Sequence, residues 1–234
     1  MKKITIIAAI LIALSFVISP AMAFSPQMKP NLVAIDQANK AVTFAGVITA
    51  EKWDNFIHPV RRGEKGFDPD NWHLIIAGTQ ANPAVNRVPL MVGWTTDVAV
   101  GEALESLGAS GEILNQKSWY DYKNKKSPHI KALPSKGTPI SVYVSWTDKD
   151  GKHKTVEAND FLENSTGKKF KGMYISKQHP SHCIVCLYGC IGGICSNSTM
   201  STYDYFYGGA HWKLKKGVLP PDGTPVLITI KMDE

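Results

Sequence analysis

All four cysteines of this 234-residue chain fall within thirteen residues: Cys183, Cys186, Cys190 and Cys195, with His179 and His182 just upstream. The spacing is Cys-x2-Cys-x3-Cys-x4-Cys, and Gly189, Gly192 and Gly193 let the backbone bend between the thiols. Three chemistries suit such a run. An even number of closely spaced cysteines in an oxidising compartment ends as disulfides, and three pairings are open to four thiols. Loops this small would stiffen their own segment more than the whole domain, since the entropy removed from the unfolded chain grows with loop size. Four thiolates on a glycine-bent segment can also wrap zinc or an iron–sulfur cluster, with His179 and His182 as auxiliary ligands. The spacing departs from the bacterial ferredoxin run, and Ser196, not proline, follows the fourth cysteine. Finally, Cys183-x-x-Cys186 could be a redox pair whose thiolate is favoured by His182. The pair lies late in the chain, however, where a thioredoxin-like fold would not place it.

Other residues with chemical potential are sparser. Lysines between positions 117 and 131 surround Trp119, Tyr120 and Tyr122, which reads as a solvated loop with anchoring aromatics. Tyr203, Tyr205 and Tyr207 alternate as on a strand with one aromatic face, and Trp212 follows. Packing over the cysteines is the simpler role for these rings. A ligand surface drawn from Trp119, Tyr122, Tyr205, Tyr207 and Trp212 is the functional alternative. The chain has no His-Glu-x-x-His, Gly-x-Ser-x-Gly or phosphate-loop motif, and no acid–base pair can be assigned. The expected role is therefore non-catalytic.

The first 23 residues set the compartment. Lys2 and Lys3 precede an apolar run from Ile4 to Ile18, and Ala21-Met22-Ala23 is a small-x-small cleavage signal. This reads as a Sec-type signal peptide without a twin arginine, directing the chain to the periplasm or beyond. Its removal takes two lysines and leaves a formal charge of +4 on 211 residues. No later stretch is apolar enough to span a membrane, and an exported chain meets no nucleic acid. The expected partners are envelope or redox components.

The elements that must position these groups are mostly strands. Residues 24–30 form a short tether, and residues 31–234 a single domain. Leu32 to Ile48 reads as a hairpin turning at residues 36–40, and His73 to Gly78 and Val88 to Trp94 as two strands. A helix starts at a Thr96 or Asp97 cap, places Val100, Leu104 and Leu107 on one stripe, and stops at Gly108. Residues 133–144 and 219–230 echo each other as Leu-Pro-x-x-Gly-Thr-Pro followed by an alternating apolar run. Gly137 and Gly223 would permit a positive φ in each turn, and the two strands should be neighbours in one sheet. The first of them should turn at Asp148–Gly151 and pair back through Lys154 to Val156, ahead of a short helix near residues 157–162.

The same elements carry a family resemblance. An Ala-Leu-x-x-Leu-Gly-Ala helix (residues 103–109), a glycine-turned cysteine run ending Gly-Ile-x-Ser-Asn (183–197) and a Leu-Pro-x-Asp-Gly-Thr-Pro-Val strand (219–226) resemble the YdjY-domain family of exported bacterial proteins. The family has no established activity, and some members carry ferredoxin-like labels. The resemblance implies that cysteines at 183, 186 and 190 recur while position 195 is often another residue. It also puts Cys190-Ile-Gly-Gly-Ile where relatives have Cys-Pro-x-Gly-Ile. A pattern of three cysteines fits neither two disulfides nor a four-thiolate centre in every member. The expectation is an α+β domain: an antiparallel or mixed sheet, one main helix packed on a face, and the cysteine loop on the surface. Its function would be that of an exported accessory or binding module, its loop stapled or metal-loaded. The rival is electron transfer through an iron–sulfur cluster or thiols at the same loop.

Overall fold

In the expected first hairpin, β1 (Val33–Asp36) pairs antiparallel with β2 (Ala41–Ile48). The Asp36 carboxylate accepts from the Asn39 backbone N–H at 3.0 Å and from its Nδ2 at 2.7 Å, which pins the turn. Its pKa is lowered by these bonds to Asn39. The computed structural model describes residues 32–54, 72–79, 87–112, 136–176, 183–189, 193–200 and 212–233.

The echoed segments become β7 (Pro139–Thr147) and β14 (Pro225–Met232), and they are indeed neighbours. Their antiparallel register runs unbroken from Leu227 opposite Ser145 to Met232 opposite Ile140. Val142, Val144, Ile228 and Ile230 are all fully buried, as alternation requires. The two glycines differ. Gly223 has φ +79°, the left-handed turn that was expected. Gly137 has none; a Cβ there would run into the Tyr174 carbonyl oxygen, so the residue is small to let another strand pass. β7 then pairs with β8 (His153–Glu157) across the Asp148–Gly151 turn, and a short α-helix (Ala158–Phe161) follows.

The sheet does not offer one face to a main helix, as the sequence suggested, but closes on itself. It contains β3 (Trp72–Ala77), β4 (Arg87–Gly93), β10 (Gly172–Tyr174), β11 (Cys183–Cys186) and β12 (Gly193–Asn197). These join β2, β14 and β7 in the order β2-β14-β7-β10-β12-β11-β3-β4, and β4 pairs back onto β2. Eight strands thus close into a barrel, which overturns the α+β expectation. The physical cause lies at the seam, where Gly46 stands opposite Gly93. A Cβ on Gly46 would sit 2.7 Å from the Val92 carbonyl oxygen, and one on Gly93 would sit 2.8 Å from the Phe44 ring. Only bare backbone brings these strands close enough to pair while the Phe44 ring passes over them.

Among the described residues the helices are few and short: α1 (Ala50–Asp54), α2 (Asp97–Ser106) and α3, the Ala158–Phe161 turn. α2 forms as its cap and stripe predict. The Thr96 hydroxyl accepts from the Ala99 N–H at 3.1 Å, Val100 and Leu104 are fully buried, and Gly108 has φ +98°. It does not lie along the face of a sheet. It touches β1, β2 and β11, and its Glu105 reaches Tyr174 on β10. Strands so far apart around the ring can share a helix only across a barrel end, so α2 covers that end. Two small sheets complete the described parts: β5 (Gly111–Glu112) with β6 (Lys136–Gly137), and β9 (Leu162–Asn164) with β13 (Trp212–Leu214). Among the described residues, no helix is long and apolar enough to cross a membrane.

Candidate functional site

The three described cysteines do not stand on a surface loop. Cys183, Cys186 and Cys195 are 3%, 1% and 0% exposed and belong to β11 and β12, inside the barrel wall. The two strands run parallel, with Cys183 opposite Gly193 and Val185 opposite Cys195. Parallel neighbours normally need a crossover of a dozen or more residues. Here residues 187–192 alone make the return.

Several small devices make so short a return possible. Gly193 carries no side chain because a Cβ there would lie 2.7 Å from the Cys195 carbonyl oxygen and 3.2 Å from the Cys186 Cβ. The start of the return hangs from side chains of β12: the Ser196 hydroxyl donates to the Tyr188 carbonyl at 2.8 Å, and Asn197 Nδ2 donates to the Leu187 carbonyl at 2.9 Å. The Gly189 N–H donates to the Met200 carbonyl at 2.6 Å. Asn197 Oδ1 in turn accepts from the Thr199 N–H and hydroxyl and from the Lys171 N–H. β11 is also irregular where it pairs with β3, its register shifting on both sides of Val185. The Ser-Asn pair therefore acts as a clamp on loop carbonyls, a role its place in the sequence motif does not reveal.

Chemically, the thiols are subdued. No disulfide joins Cys183, Cys186 and Cys195 to one another. Burial pushes the Cys195 thiol well above its ordinary value, so it is protonated at neutral pH. Its cross-strand neighbour is Tyr174 on β10, whose hydroxyl donates to Glu105 Oε1 at 2.9 Å. That phenol is pushed up too, by burial first, then by the bond to Glu105 and its charge, and by Cys195. A reactive thiol needs a partly exposed, electropositive setting, and Cys195 has the opposite. Among the described residues, no three His, Cys, Asp or Glu side chains gather closely enough to hold a metal ion. The described thiols by themselves therefore do not fit zinc or an iron–sulfur cluster. Cys190, His179 and His182 lie outside the described residues.

Of the candidate surface aromatics, Trp119, Tyr122, Tyr205 and Tyr207 also lie outside the described residues. Trp212 is in β13, paired with Asn164, and is buried in the core. Asn164 and Asn197 each open an Asn-Ser-Thr triplet with a structural role: both side chains are buried, and each Oδ1 accepts from the N–H and hydroxyl of the threonine two residues on. Sequence reasoning missed Tyr174 and Glu105, and gave Gly193 a bend to make instead of a close approach to permit. Their importance comes from distant pairings that leave no local pattern.

The YdjY domain family model matches residues 33–231. One similar protein is "Uncharacterized protein YdjY" of Escherichia coli (strain K12), 29% identical over 157 residues, which cover 62% of this chain and 61% of that protein. The aligned part thus spans less than two thirds of that relative's length. No solved structure matches the chain. The family match covers every strand of the barrel and the cysteine crossover, and the chain belongs to the YdjY domain family.

Proposed function

We propose that this chain is an exported, non-catalytic module of the bacterial envelope, and that its cysteines secure the β11–β12 crossover instead of doing chemistry. The observation that carries this reading is the setting of Cys195: fully buried, protonated, and paired across the sheet with Tyr174. Thiols at 183, 186 and 195 stand on both arms of an unusually short return, where packing or a covalent staple would each rigidify it. The leader formed by Lys2, Lys3, residues 4–18 and Ala21-Met22-Ala23 supports export. Electron transfer would instead require thiolates or thiols open to exchange.

The test is the native intact mass of protein exported by its own leader, purified without air and with thiols trapped at lysis. The expected result is a metal-free mass, with every cysteine either oxidised to disulfide or closed to the trapping reagent until the protein is unfolded. Bound zinc, iron with sulfide, or a cysteine pair that cycles under mild reductant would replace this reading with the metal or electron-transfer one.

A further inference from the structure

Two lysine runs that are 45 residues apart in the chain meet on one face. Lys168, Lys169 and Lys171 precede β10, while Lys213, Lys215 and Lys216 belong to β13 and the turn after it, and all six are exposed. α3 and the end of β12 hold the runs together. The Lys215 N–H donates to the Phe161 carbonyl and its Nζ to the Asn159 carbonyl at 3.0 Å. Asn159 in turn brackets Phe170, accepting from its N–H at 2.9 Å and donating to its carbonyl at 3.1 Å. Lys168 Nζ donates to the Thr199 carbonyl, the Thr199 hydroxyl donates to the Lys169 carbonyl, and the Ser198 N–H donates to the Lys171 carbonyl.

Little negative charge answers these six. Asp160 accepts from the Glu157 N–H and Glu157 from Asn159 Nδ2, so both carboxylates serve the cap of α3. Glu163 stands opposite Lys213. Glu51 and Asp222 bound the face across a groove that Lys215 and Lys216 also line, and Asp222 already accepts from the Glu51 N–H. None of the six lysines forms an ion pair with a described carboxylate. Between them lie hydroxyl residues (Ser165, Thr166, Ser198 and Thr199), and half-buried Leu214 and Leu219 line the groove.

We propose that this face, built on β9, β13 and residues 167–171, docks on anionic phospholipid headgroups. Six ammonium groups spread over a broad face suit the diffuse charge of a bilayer surface, which attracts each nearby lysine by about 1 kcal/mol. Recognition of one defined phosphate would call for arginine forks. Single-stranded nucleic acid would call for exposed rings to stack on, and the described aromatics here, Phe170 and Trp212, are buried.

The test is co-sedimentation of the leader-free protein with phosphatidylcholine vesicles, plain or containing about one-third phosphatidylglycerol, at about 0.1 M salt. Binding is expected only to the anionic vesicles, and the K168E/K169E/K171E variant should bind at least about tenfold more weakly. K149E/K152E, in the β7–β8 turn at the far end of β8 from α3, should change binding by less than about threefold. K215Q/K216Q, which adds no repulsion, should weaken binding by a smaller factor and stands in if the triple variant melts abnormally. Equal binding to both vesicles, no binding to either, or equal losses in the K168E/K169E/K171E and K149E/K152E variants would overturn the proposal. Capture by soluble polyphosphate without vesicle binding would overturn the lipid assignment.

Discussion

The β7–β14 ladder and the β11–β12 crossover sit in the same barrel wall but are specified in opposite ways. The ladder is antiparallel, keeps one register over six pairs, and alternates buried and partly exposed residues along both strands. Its information is the apolar pattern itself, and the side chains that matter are large. The crossover is parallel, buried on both faces, and shifts register along β11. What specifies it is space left empty at Gly193 and carbonyls answered by Ser196 and Asn197. The ladder should therefore suffer most from lost atoms, and the crossover from added atoms or lost polar groups.

The largest effect should come from Ile228→Ala, which empties a fully buried site facing Val144 and should cost roughly 2–5 kcal/mol in chemical denaturation. A loss below about 1 kcal/mol would mean that the ladder does not rest on its apolar alternation. Next, Asn197→Ala leaves the Leu187 carbonyl and the N–H groups of Thr199 and Lys171 without their side-chain partner. About 2–3 kcal/mol of destabilisation is expected, and a neutral result would remove the clamp from the account of the crossover. Gly193→Ala adds one methyl group against the Cys195 carbonyl and should cost about 1–3 kcal/mol. Thr229→Ala, at a ladder position where the hydroxyl meets Thr43 at 2.8 Å, should stay near 1 kcal/mol. Reversed ranks for those two substitutions would break the comparison.

The smallest effect concerns pH. Well below pH 9 the Cys195 thiol is protonated in both folded and unfolded chains, and its contribution is intact. Above the ordinary thiol value of 9.0, the unfolded chain releases a proton that the folded chain keeps, so stability falls as pH rises. Tyr174 adds the same trend from its ordinary value of 10.0 upward. Melting temperatures measured between pH 8 and pH 10.5 should decline on the alkaline side. Cys195→Ala should lessen the earlier decline while leaving the later one. An unchanged decline would show that the site is not desolvated in solution.

What was legible in the sequence was local. The hairpin at residues 36–40, the Asp148–Gly151 turn, the cap at Thr96 and the short helix before Leu162 all follow from neighbouring residues, and each appears where expected. The echo even revealed a long-range pair, because both copies carry the same turn chemistry. Closure escaped detection because its signal is two isolated glycines, 46 and 93, whose meaning exists only once they face each other. The same blindness put the cysteines on a surface. Their glycine-rich spacing resembles a loop, whereas Cys183–Cys186 and Gly193–Asn197 are strands whose partners, β3 and β10, lie elsewhere in the chain. The lysine face was hidden for a similar reason, being halved between residues 168–171 and 213–216.

The closed ring also dictates a timetable. β2 is held between β4 on one side and β14 on the other, so one of the earliest strands takes its second neighbour from residues 225–231. A ribosome releasing this chain from its first residue could not complete the wall until nearly the last strand had emerged. Pairings that span so much sequence form slowly. A polypeptide that stays unfinished for this long remains a pliable thread during synthesis, the state that the export proposed above would call for.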